Sequence, residues 1–145
     1  MSRKFLVAGV LTSIFLFILN AVVYVVFLKN FFLSHPAVSA EFMKQLYRPD
    51  SEIVAWAVVL SSFALGFLVT MVIKWSQART FAAGLGKGFF FGILLLFTVD
   101  FGLLASTHNF TTAGAFADIV CSTLTVTLSA GAAAWMLGKG EVKSG

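Results

Sequence analysis

The sequence predicts an all-α integral membrane protein, a four-helix bundle with both termini in the cytoplasm. Three observations lead there. The chain of 145 residues is 59% hydrophobic and only 11% charged, with a mean hydropathy of +0.97, where an ordinary soluble domain has about a quarter of its residues charged. Four apolar stretches of roughly 20 residues each match a hydrocarbon core about 30 Å thick. Seven of the ten Lys and Arg residues fall on one side of those stretches. Polarity of period two, the mark of a membrane barrel, is missing, and runs such as Phe89–Phe97 favour helices.

The first span is predicted over residues 5–28. Arg3 and Lys4 precede it as they would precede a secretory signal, but its apolar run is longer than the usual h-region of about 7–15 residues, and no small-x-small site follows before Lys29. It reads as a retained span. The segment 29–52 is predicted as the one sizeable outer loop. Within it Phe42, Met43, Leu46 and Tyr47 alternate with Glu41, Lys44 and Gln45 at helical spacing, which predicts a short surface helix over 38–47. Pro49 should end that helix, and Asp50 or Ser51 should cap the second span, 53–73.

A loop over 74–87 leads to the third span, 88–106. Gly84, Gly88 and Gly92 recur every fourth residue, so three missing side chains share one helix face and another helix can approach closely. Packing within the chain is the expected use. The fourth span is predicted over 113–137. Around it all, Arg3, Lys4, Lys74, Arg79, Lys87, Lys139 and Lys143 stand against Lys29, Lys44 and Arg48, which places the majority in the cytoplasm by the positive-inside rule. The formal charge of +4 is absorbed by this asymmetry. Nucleic acid is not an expected partner, since no basic patch carries interleaved aromatics.

Two aspartates lie inside spans, Asp100 in the third and Asp118 in the fourth. An ionisable side chain at membrane depth is costly, so it has a partner or a task. The hairpin turn near His108 and Asn109 is eight residues from Asp100 and nine or ten from Asp118, which puts both carboxyls roughly 7–10 Å below the outer surface at 1.5 Å per residue. If close, the two hold one proton between them. Counting the other spans the same way brings Asn20, Ser61 and Ser62 to about 12 Å below that surface, and so predicts a polar layer in the outer half. Asp118, Ser122, Thr125 and Ser129 form one stripe on the fourth span, facing inward, with Ile119, Val126 and Leu128 expected elsewhere. Thr107, His108 and Asn109 could extend the site towards water.

Other chemistry is thin. Cys121 is the only cysteine, and His35 and His108 show no metal-ligand spacing. Asn109-Phe110-Thr111 matches a glycosylation sequon in a turn pressed against the membrane, and Gly84-x-Gly86-x-Gly88 precedes a span, not a strand–helix unit. No cofactor, metal or enzymatic activity is expected. The predicted role is structural or accessory, with a small proton-coupled transporter or channel component using Asp100 and Asp118 as the alternative. The expected partners are the lipid bilayer and either a second copy or another membrane protein.

Arg48-Pro49-Asp50 before the second span, Asp100 to Asn109 ending the third, Asp118 followed by Ser122-Thr123, and the exit Trp135-Met136-Leu137-Gly138-Lys139 together resemble a group of small four-span bacterial inner-membrane proteins with no assigned activity. That resemblance implies the same topology and a bacterial inner membrane. A looser one is to small multidrug transporters, which have four short helices but carry their intramembrane carboxylate in the first span.

Overall fold

Charge does not end a helix; proline does, and the first helix shows the difference. In the computed structural model, which describes residues 2–108 and 110–139, helix α1 runs from Arg3 to Ser34, straight through Lys29. It stops at His35, whose φ of −128° and ψ of 60° leave the helical region, as expected of a residue before Pro36. Its 32 residues measure about 48 Å at 1.5 Å each. Between Tyr24 and Leu28 it widens into one π-helical turn. The predicted end at residue 28 is therefore six residues short.

Helix α2, Ala40–Leu46, is the short amphipathic helix of the outer loop, capped by Ser39, whose Oγ accepts from the Phe42 N–H at 3.4 Å. It ends before Pro49, at the extended Tyr47. Asp50–Glu52 form a single 3₁₀ turn, and α3, Ala55–Trp75, starts after Val54 with no side-chain cap. The N-cap position falls on Val54, three residues beyond Ser51, with the extended Ile53 between, so the predicted cap is displaced.

Helix α4 spans Phe81–Ser106, starting seven residues earlier than predicted. Thr80 caps it, its Oγ1 accepting from the Ala83 N–H at 3.2 Å, and Lys87 is simply an exposed residue within the helix. The predicted loop over 74–87 shrinks to a five-residue turn in which Gln77 takes the left-handed conformation, φ 57°. Helix α5, Thr112–Gly138, follows a short connection and is capped by Thr111. The described residues form an all-helical bundle, and α1, α3, α4 and α5 are each long and apolar enough to cross a membrane.

Helix α5 is the centre of the arrangement. It packs on α4, α1 and α3; α1 also packs on α3, whereas α4 meets little besides α5. Small residues permit these approaches. A Cβ on Gly66 of α3 would collide with the backbone of Ser13 on α1, and the Ser13 hydroxyl donates to Gly9 O at 2.8 Å and to Phe63 O at 3.2 Å across the gap. The apolar core, including Leu16, Val69, Ile73, Val126, Ala130 and Leu137, lies among α1, α3 and α5. At one end of the bundle the Arg79 backbone lies against Gly138 and Lys74 stands 5.0 Å over the Phe5 ring. At the other end Phe32 meets Phe110, ring centroids 5.8 Å apart.

Candidate functional site

The α4–α5 interface has a register that leads directly to the two aspartates. Gly84, Gly88 and Gly92 are all buried, and a Cβ added to each would strike α5 at Ala134, Ala130 and Val126 respectively. Every four-residue step along α4 is thus matched by a four-residue step back along α5. Two further steps bring Asp100 opposite Asp118. The glycine face packs within the chain, and the same antiparallel register that seats the glycines pairs the acids.

Asp100 is buried, at 2% exposure, and Asp118 is half-buried. Their carboxyl groups are close enough to interact with one another. Ser122, one turn along α5, donates its hydroxyl to Asp118 Oδ1 at 3.3 Å. Asp100 Oδ2 is enclosed without a hydrogen-bond partner. Beside the pair, Phe101 and Phe116 meet edge to face with centroids 5.5 Å apart, and Phe97 packs on Phe101 at 4.9 Å. Two carboxyls in such contact accommodate one proton between them; ionised together, they repel.

The other predicted members of the layer lie elsewhere. Phe32 of α1 approaches Gly114 of α5, 3.5 Å from where a Cβ would stand. Counting back along each antiparallel helix from that contact, Asn20 comes about 12 Å deeper than Asp118. The cause is the six-residue extension of α1, which moves Asn20 away from the helix end. Asn20 is half-buried. Ser62 is buried one turn from Gly66, at a level deeper still, while Ser61 is exposed and donates to its own Val58 O at 2.9 Å. The single polar layer is therefore corrected to a staggered set: the acid pair near one end, and the buried hydroxyls of Thr12, Ser13, Thr70, Thr125 and Ser129 further along.

The stripe on α5 is partly as expected. Thr125 and Ser129 are buried, Asp118 and Ser122 half-buried, but Ile119 and Val126 are buried as well, at 3% and 2%, and only Leu128 turns outward. A helix packed by three neighbours has more than one inner face. Thr107 and His108 are exposed at the bundle end, with Thr107 Oγ1 donating to Leu103 O at 2.7 Å. Asn109, the acceptor residue of the sequon, lies outside the described residues, as does Lys143.

A narrow cleft of about 120 Å³ lies between α4 and α5, lined by Phe89, Ile93, Ile119, Val120, Thr123 and Leu124. It contains no carboxyl and is apolar apart from Thr123. Among the described residues no group of three His, Cys, Asp or Glu stands close enough to hold a metal ion. Sequence reasoning missed a second constellation, Arg3 and Lys4 beside Trp135 and Lys139. Its only local signal is the Trp135–Lys139 spacing, which lays the ammonium 3.4 Å over the indole. No protein family, curated protein or solved structure was found to match the chain.

Proposed function

We propose that the chain is a non-enzymatic, multi-pass protein of the bacterial inner membrane, both termini cytoplasmic, whose role is structural or accessory and whose α4–α5 hairpin is locked by a proton shared between Asp100 and Asp118. The observation that carries this reading is the pairing of the two carboxyls at the end of the glycine seam, with Ser122 as the third polar member. A carboxyl pair so placed serves as an interhelical hydrogen bond, worth about 0.6–2 kcal/mol inside a membrane. The orientation is supported by the helix ends: Arg3, Lys4, Lys74, Arg79, Lys87 and Lys139 belong to the end of the bundle that holds the α3–α4 turn, and Lys29, Lys44 and Arg48 to the other. Cysteine placed at Glu41 in a Cys121→Ser background should react with an impermeant maleimide on intact cells, and cysteine at Gln77 should not; the reverse result overturns the orientation.

One observation favours a second reading, a small proton-coupled transporter or channel component. The enclosed Oδ2 of Asp100 is an acceptor with no partner, available to a proton in transit. Asp100→Asn and Asp118→Asn retain hydrogen bonding but remove titration. For a structural pair, both variants fold normally and proteoliposomes carrying them match wild type in proton-driven flux. A flux present in wild type and lost in folded Asn variants would replace the structural role with transport.

A further inference from the structure

Beside the first turns of α1 and the last turn of α5 lies a groove of about 620 Å³, within the roughly 300–1,000 Å³ typical of ligand sites. Its composition is graded along its length. At the bundle end stand three cations, Arg3, Lys4 and Lys139, while Val7 and Leu11 on α1 and Trp135 and Met136 on α5 line the remainder. Among the described residues no carboxylate lines it. From Arg3 to Leu11 the wall descends about 12 Å along α1, which is the passage from headgroup level into the acyl region.

We infer that this groove binds one anionic glycerophospholipid, its phosphate held by Arg3, Lys4 and Lys139 and an acyl chain laid along Val7, Leu11 and Met136. Charge complementarity selects the headgroup, since basic pockets between membrane helices on the cytoplasmic side suit anionic lipids. The apolar wall selects a lipid over free phosphate, which would leave Val7, Leu11 and Met136 uncovered. Trp135 and Lys139 are suited to that boundary: the indole lies at the interface and the long cationic chain reaches the headgroup over it. The inference rests on the proposed orientation for its choice of leaflet, but its test in detergent does not depend on that orientation.

Native mass spectrometry of the full chain, doped with equal amounts of dioleoyl phosphatidylglycerol and dioleoyl phosphatidylcholine, reads the site directly. Wild type should retain one phosphatidylglycerol at least tenfold more than phosphatidylcholine, with millimolar inorganic phosphate unable to displace it. Arg3→Gln/Lys4→Gln/Lys139→Gln should abolish that preference while leaving the melting temperature in phosphatidylcholine unchanged. Val7→Trp keeps every charge and fills the groove, so it should also lose the lipid. Equal retention of the two lipids, displacement by phosphate, or full retention by Val7→Trp would each overturn the site. So would a lipid-free dimer that Val7→Trp dissociates, or a groove that takes up lipid only after truncation at Lys139.

Discussion

Gly88→Leu should detach α4 from the bundle. A Cβ at this position would run into Ala130 Cβ and would lie 3.1 Å from Thr127 Cα and 3.3 Å from Thr127 O. Two of those three atoms are backbone, so relief requires the helices to separate. Overpacking of this kind costs about 1–3 kcal/mol and sometimes more. The effect is large here because α4 has α5 as its principal neighbour and little else to hold it. Gly86→Leu is the matched control, since nothing lies within 4 Å of a Cβ there, and a surface substitution of that kind stays within about 0.5 kcal/mol. Thermal melting in detergent should fall steeply for the first variant and hold for the second, and adding Ala130→Gly to Gly88→Ala should recover stability that Gly88→Ala loses alone. Equal melting of Gly86→Leu and Gly88→Leu would mean the seam is not the contact that holds α4.

The second large effect concerns the acids. Asp118→Leu removes the neighbour of a carboxyl that is 2% exposed and leaves it facing hydrocarbon, a loss of about 1–3 kcal/mol for an unsatisfied buried polar group. Asp100→Leu/Asp118→Leu removes both halves and replaces them with apolar side chains, which can be nearly neutral. The double variant should therefore be more stable than Asp118→Leu alone, a non-additivity that marks two residues acting as a unit. Unfolding in graded dodecyl sulfate measures it. Strictly additive losses would show that the two side chains are energetically independent.

What was legible in the sequence was whatever has a local period. The glycines every fourth residue announce a seam, and aspartates inside two neighbouring apolar runs announce that they need each other; the turn at residue 108 suffices to bring them level. Helix ends were less legible, because Lys29 and Lys87 interrupt apolarity without interrupting a helix, and only Pro36 does both jobs near its end of α1. That one error displaced Asn20 from the acid pair by more than two helical turns. The groove was not legible at all. Residues 3–11 and 135–139 lie at opposite ends of the chain, and their charges already had an explanation as topology signals, so nothing in the order of residues says they are neighbours until α1 is laid against α5.

The dependence of α4 on α5 bears on biosynthesis. The ribosome releases α4, with Asp100 on its inner face, before α5 exists to cover it. α1 and α3 by then have each other. A lone carboxylate within a span costs up to about 2.5–3.5 kcal/mol on translocon-insertion scales, the figure for the centre, and three bare glycines give an unpartnered α4 nothing to grip. On the proposed membrane topology, the last two spans are best delivered to lipid together, as a hairpin that closes on its acids before it docks against the helices that preceded it.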